Sequence, residues 1–270
     1  MGLLNTLTFD GTPLTDYQTF ISGEGVFNSP ARIGEMIHVP GRNGSLWLDE
    51  DCFENYDVKY PAFIGTNSEV VFREKLAEVR SYLGSRRSYC RIEDTYHPDE
   101  FRLGVFKDAI ETKPLQYNRA GEFTIVFDCK PQRFLKSGET PQTFSGYSVI
   151  DNPTLFEAKP LIRVTGNGTV TIPPYSFTVS DNTGELWIDS ELMEVYTLSA
   201  DLQDLTDELA QVITDEASNS IQLRDGTIAS GAGDKVTFTN YKYPLIGPGR
   251  VPVRPASGMT LRIYPRWWRL

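Results

Sequence analysis

Phe123, Ile125, Phe127 and Cys129 fall on one parity, with Thr124, Val126 and Asp128 on the other. A two-residue period puts one set on each face of an extended strand and half-buries it. The same period runs through Met259, Leu261 and Ile263 against Thr260, Arg262 and Tyr264, and more briefly through Ile162/Val164, Val170/Ile172 and Phe177/Val179. Twenty-two glycines and 17 prolines, spread through the chain, break these runs. Thr165-Gly166-Asn167-Gly168 reads as a tight hairpin turn, because Asn-Gly tolerates the positive φ such turns demand. Asp181-Asn182-Thr183-Gly184 reads as a turn before a strand at Glu185–Ile188. A chain with this pattern folds mainly as β-structure.

One helix interrupts it. Asn67-Ser68-Glu69 offers an N-cap and an early acid. Phe72, Leu76, Val79 and Leu83 then recur on one helical face, Glu69 and Arg73 are spaced to pair, and Gly84 stands where a left-handed C-cap fits. The spacing predicts a helix at about Ser68–Leu83, its apolar stripe covering a sheet. A weaker pattern, Leu202, Leu205, Leu209 and Val212 after a Ser199 cap, predicts a second helix over Ala200–Thr214.

A length of 270 residues suggests two domains. The polar stretch Lys136-Ser137-Gly138-Glu139-Thr140-Pro141 follows a strand ending near Pro131, and the division is expected at 134/135. Every charged residue from Glu185 to Glu216 is acidic, whereas after Asp234 the charges are all basic, Lys235 through Arg269. Two solvated faces explain this. So does contact of the acidic segment with a basic surface, either this tail or a neighbouring subunit.

The net charge of −10 argues against a general nucleic-acid binder. No apolar run approaches the roughly 20 residues of a membrane span, and the first residues carry no secretory signal pattern. Two histidines, His38 and His97, and three scattered cysteines, Cys52, Cys90 and Cys129, leave little for histidine catalysis, multi-histidine metal sites or a disulfide framework. Phosphate-loop, dinucleotide, GxSxG and HExxH motifs do not occur. The densest polar cluster, Glu93-Asp94-Thr95-Tyr96-His97-Pro98-Asp99-Glu100, reads as a turn between strands at Tyr89–Ile92 and Phe101–Val105, and Asp49-Glu50-Asp51 with Glu54 as an acidic loop without calcium-loop spacing. No catalytic, metal or cofactor residue is nominated, and an enzyme is not expected. Exposed aromatics could instead stack on sugars; Tyr175 and Trp187 are the candidates for such a platform, against core packing as the ordinary use of aromatics.

Three stretches carry a resemblance. Ile37-His38-Val39-Pro40-Gly41-Arg42-Asn43-Gly44-Ser45-Leu46 resembles the VPGRxG-x-L signature near the start of the distal tail proteins (Dit) of long-tailed, non-contractile phages. Phe123–Phe134 resembles the stretch that closes that family's first domain. Tyr243-Pro244-Leu245-Ile246-Gly247-Pro248-Gly249 and the ending Pro265-Arg266-Trp267-Trp268 resemble its last motifs, with Arg250 departing from the family's frequent Asn. The resemblance spans nearly the whole chain.

It implies a mainly β fold with one helix: a ring-forming N-terminal β domain (1–134; β-sandwich, projecting hairpin, one α-helix), then a galectin-like β-sandwich (135–270) with an acidic insertion near 199–220. It implies a structural virion protein of the phage tail, made in the host cytoplasm, whose hexameric ring joins the tail tube to the tail tip and leaves a DNA channel. The alternative is a carbohydrate-binding β-sandwich module contacting host glycans. Implied partners are further copies of the chain, as one ring or two back to back, the tail tube protein, a tail-tip or tail-associated protein and a receptor-binding protein. Specific nucleic-acid binding, membrane and cofactor are not implied. The polar tip Pro40, Gly41, Arg42, Asn43 and Gly44 joins strands at Arg32–Val39 and Ser45–Leu48 and is the expected interface hairpin. A projecting hairpin has free edges, and head-to-tail pairing with the next copy satisfies them.

Overall fold

The computed structural model describes residues 5–23, 26–115, 117–199 and 228–270. The chain is mainly β and divides into two units, Met1–Lys136 with Trp268–Leu270, and Ser137–Trp267. The division falls at 136/137, and the last three residues return to the first unit, which the expectation of a second domain running to 270 did not contain.

In the first unit the strands are β1 (Leu7–Phe9), β2 (Thr12–Pro13), β3 (Thr19–Ile21), β4 (Arg32–His38), β5 (Ser45–Phe53) and β6 (Tyr56–Gly65). After the helix α1 (Glu69–Gly84) come β7 (Cys90–Asp94), β8 (Glu100–Phe106), β9 (Lys113–Leu115) and β10 (Ala120–Leu135). One sheet has the order β2-β1-β7-β8-β10-β6-β3, with β9 and the returning C-terminal strand Trp268–Arg269 also pairing with β10. Strands β4 and β5 form a separate two-stranded sheet. The alternation read at 123–129 holds except at one residue: Phe123, Ile125, Phe127 and Cys129 are buried in the same core as the apolar stripe of α1, and Thr124 lies exposed on the other face, but Val126 on that face is buried as well.

Helix α1 buries the four predicted residues, Phe72, Leu76, Val79 and Leu83. Each contributes about 1.5–3 kcal/mol on full burial, before the entropy of ordering it is charged against the total. Phe72 lies against Gly121, and the Tyr82 hydroxyl donates to the Phe9 carbonyl (2.5 Å). Ser68 caps the helix, its hydroxyl accepting from Val71 N–H (3.3 Å). The C-terminus differs from expectation. Gly84 is the last helical residue, and the cap is Ser85 in right-handed geometry (φ −75°), its hydroxyl donating to the Tyr82 carbonyl (2.7 Å). That bond satisfies a terminal carbonyl that a left-handed glycine would otherwise have served. Glu69 and Arg73 do not form an ion pair among the described residues; Lys75 and Glu78 do (2.8 Å).

The second unit is a sandwich of two sheets. Its strands are β11 (Gln142–Phe144), β12 (Ser148–Asn152), β13 (Leu161–Thr165), β14 (Gly168–Ile172), β15 (Tyr175–Val179), β16 (Glu185–Asp189), β17 (Glu194–Ser199), β18 (Ile228–Gly231), β19 (Val236–Phe238), β20 (Gly249–Pro255) and β21 (Thr260–Tyr264). One sheet runs β11-β21-β13-β16-β17-β18 and the other β12-β20-β14-β15-β19, with Ile150, Ile162, Val170, Phe177, Leu186 and Leu261 buried.

Here the predicted hairpin at 165–168 is corrected. β13 pairs with β16 and β21, whereas β14 pairs with β15 and β20, so the turn carries the chain from one sheet to the other. The Asn167 side chain is committed elsewhere: its carbonyl accepts from Asn182 N–H (2.8 Å) and its amide donates to the Asn182 carbonyl (3.0 Å). Gly166 takes the positive φ (92°) instead, in close approach to the Gly258 carbonyl. The helix predicted over Ala200–Thr214 and most of the acidic insertion lie outside the described residues.

Candidate interaction arm

β4 and β5 pair with each other and, among the described residues, with no other strand. Their connection obeys simple turn chemistry. Arg42 N–H donates to the Val39 carbonyl (3.1 Å), Pro40 fixes the second position, and Gly41 takes φ 80° at the third. That is a type II turn, whose third position favours glycine. Gly44 follows at φ 82°. All five predicted tip residues, Pro40 through Gly44, are exposed.

The register pairs Glu35 with Leu48, Ile37 with Leu46, Met36 with Trp47 and His38 with Ser45. One face of the arm therefore carries Ile37, Leu46 and Leu48, and the other Met36 and Trp47, the indole lying over Gly34. No residue from Arg32 to Cys52 is buried. Met36 is 66% exposed and Leu48 52%. Two apolar faces and two unpaired strand edges on one short ribbon is an arrangement that a chain in water covers by association.

Asp49, Glu50 and Asp51 do not form a loop, as the sequence suggested; they lie within β5, which is five residues longer than expected. A bulge between the pairs Arg32–Phe53 and Gly34–Asp49 takes up the extra residues, with Asp51 at φ 60°. Asp51 N–H donates to Asp49 (2.9 Å), and Arg32 pairs with the same carboxylate. That backbone donor first, and the guanidinium after it, hold the Asp49 carboxyl below its ordinary pKa against partial burial.

A buried polar cluster fixes the segment leading into the arm. The Arg102 guanidinium donates to the Val26 carbonyl (2.7 Å), Asp94 (3.0 Å) and the Tyr60 hydroxyl (3.1 Å). Tyr60 donates to Asp94 (2.9 Å), whose second oxygen accepts from the N–H groups of Tyr96 (3.0 Å) and His97 (2.9 Å). Phe27 then rests on the rings of Tyr96 and His97. Burial pushes the His97 imidazole below its ordinary pKa, Arg102 adds to the effect, and Asp94 at 3.2 Å opposes it. The 93–100 cluster is thus a β7–β8 turn organised around an internal arginine. No group of acids, histidines and cysteines among the described residues is arranged to hold a metal ion. The arginine was the part sequence reasoning missed: Arg102 stands in a strand eight residues after Asp94, with nothing local to mark it as buried.

Tyr175 and Trp187 are not brought together. They stand on β15 and β16, in different sheets of the second unit. Trp187 is stacked with Tyr196 at 6.5 Å and Tyr264 at 6.1 Å, with the Arg163 guanidinium 5.7 Å from its ring centre. Neighbouring side chains thus already occupy the surroundings of the indole that a sugar platform would offer. The acidic and basic stretches of this unit do meet at one place, where Arg266 grips the nearly buried Asp189 with two bonds of 2.8 Å; Glu191 pairs instead with Lys159, outside the basic stretch (3.1 Å).

No family model and no curated protein matches the chain. Solved structures do. The crystal structure of SPP1 Dit (gp 19.1), described as a paradigm of the hub adsorption apparatus in phages infecting Gram-positive bacteria, aligns over 97% of this chain and 98% of its own, with a TM-score of 0.66 at 13% identity. Two structures of the phage P2 baseplate in its activated conformation, with Ca and with Sr, align over 97% of this chain with TM-scores of 0.48 at 10% and 11% identity. The chain therefore shares the fold of SPP1 Dit.

Proposed function

We propose that this chain is a structural hub protein of a phage tail tip, assembling through its first unit into a ring of identical copies. The observation that carries the proposal is the arm, an exposed ribbon apolar on both faces, set on a fold shared with SPP1 Dit. A ribbon of this kind has little use in a monomer. Head-to-tail contact covers it, and such contacts close into a ring when the rotation between neighbours permits. Six copies, the number the family resemblance implies, would enclose a channel linking the tail tube to the tip. The charge of −10 per chain suits a passage for DNA, since phosphates repelled by the wall slide instead of binding by counterion release.

The test is the mass and shape of the purified protein. Light scattering should give six chains of 30.4 kDa each, and negative-stain images should show rings with an open centre. A monomer persisting at tens of micromolar refutes the proposal.

A further inference from the structure

Asn-Gly occurs twice in the chain, at Asn43-Gly44 and at Asn167-Gly168. A glycine without a side chain leaves its backbone nitrogen open to the preceding side-chain amide, so the sequence marks both places equally. The fold treats them differently. Asn43 is exposed in the connection between β4 and β5, outside either strand. Neither its side chain nor Gly44 N–H has a hydrogen-bond partner among the described residues. A Cβ added at Gly44 would meet nothing within 4 Å, so the surroundings of that nitrogen are open. Asn167 is committed instead, its carbonyl oxygen and its amide both bonded to the Asn182 backbone, at 2.8 and 3.0 Å. Gly168 is packed: a Cβ there would stand 2.7 Å from the Ala256 methyl and 3.1 Å from Met259 Sδ, and the residue enters β14 opposite Val179.

We propose that Asn43 is a site of spontaneous deamidation and that the fold spares Asn167. Gly44 N gives up its proton to solvent base and bonds to Asn43 Cγ. The Cγ–Nδ2 bond breaks, and Nδ2 takes a proton from water and leaves as ammonia. Water then opens the resulting five-membered succinimide at one of its two carbonyl groups. Opening at one gives aspartate at position 43. Opening at the other gives an isoaspartyl link, in which the main chain runs through the former side chain. Nothing is oxidised or reduced; amide and water give acid and ammonia. The reaction needs the side chain free to swing Cγ over the following nitrogen, and Asn43 has that freedom. Asn167 must first give up both of its bonds, which slows it about 30-fold, the factor that two ordinary hydrogen bonds are worth. Either product places a carboxylate beside Arg42 at the tip of the arm, and the isoaspartyl link lengthens the backbone of a turn set by Gly41 at φ 80°.

The test incubates the purified full chain at mildly alkaline pH, once native and once in urea. Digestion at acidic pH stops the reaction. Mass spectrometry of the peptides reads the exchange of NH2 for OH, and an isoaspartyl methyltransferase reports the rearranged product. In the native protein the peptide holding Asn43 is expected to convert about 30-fold faster than the one holding Asn167, and in urea the two should convert at comparable rates. Asn43→Gln, which disfavours the five-membered ring, should abolish conversion of the first peptide and leave the circular dichroism unchanged. An Asn43 that stays intact in the native protein, a native ratio no different from the ratio in urea, or conversion of the same peptide in Asn43→Gln overturns the proposal.

Discussion

Replacing both Ile37 and Leu46 by glutamate separates the arm's role in assembly from its role in the fold. The two residues face each other across β4 and β5 and are 37% and 46% exposed. Fully burying a side chain of this size is worth about 1.5–3 kcal/mol. Covering the fraction still exposed in the free chain is therefore worth about 1 kcal/mol each, or about 2 kcal/mol for the pair at each contact between copies. That alone weakens a contact roughly 30-fold, since about 1.4 kcal/mol is a factor of ten. Desolvating the new carboxylates adds to the loss. A ring repeats its contact at every copy, so the assembly should shift to monomer over a concentration range in which the parent remains closed. Sedimentation velocity over a dilution series measures this. Thermal melting should change by less than about 1 kcal/mol, because neither side chain is buried in the free chain. Rings of unchanged mass at the lowest measurable concentration would refute the assignment of the arm to the contact. A large loss of thermal stability would refute the claim that the arm stands apart from the core.

Two further outcomes follow from buried groups. Arg266→Met should cost the second unit about 2–4 kcal/mol at neutral pH by leaving the Asp189 carboxylate buried without its cation. Burial raises the Asp189 pKa, and the Arg266 guanidinium with the N–H groups of Leu192 and Glu191 outweighs it, leaving a lowered value; the parent therefore keeps this stability above the ordinary carboxylate pKa and loses it as pH falls through the depressed one. The melting difference between parent and variant should narrow below about pH 4, and a difference constant from pH 7 to 3 contradicts the ion-pair reading. Among the thiols, Cys52 should react with a maleimide in the native protein, while Cys129, buried and with its thiol pushed up to about 12, should react only on unfolding; equal labelling rates would sink this.

What the sequence made legible is what local periodicity encodes. The stripe Phe72, Leu76, Val79, Leu83 and the alternation at 123–129 each specified a buried face, because burial in a helix or strand imposes a fixed spacing. The arm's tip was readable for the same reason: Pro40-Gly41 leaves the backbone little choice. Decisions made at long range stayed hidden. Gly166-Asn167-Gly168 looks identical whether it closes a hairpin or changes sheets, and its use depends on Asn182, fifteen residues beyond Asn167. Arg102 is similar, since its burial is set by Asp94, Tyr60 and the Val26 carbonyl, three partners from three separate segments.

The arm's own composition supplies the remaining step. Leu46-Trp47-Leu48 is an unbroken apolar run in a strand. Such a run belongs to a strand covered on both faces, whereas a strand with one face in water alternates. In the free chain β5 is covered on neither face. The conflict between pattern and exposure resolves if the environment that shaped the run is intermolecular, with one neighbouring surface against Ile37, Leu46 and Leu48 and another against Met36 and Trp47.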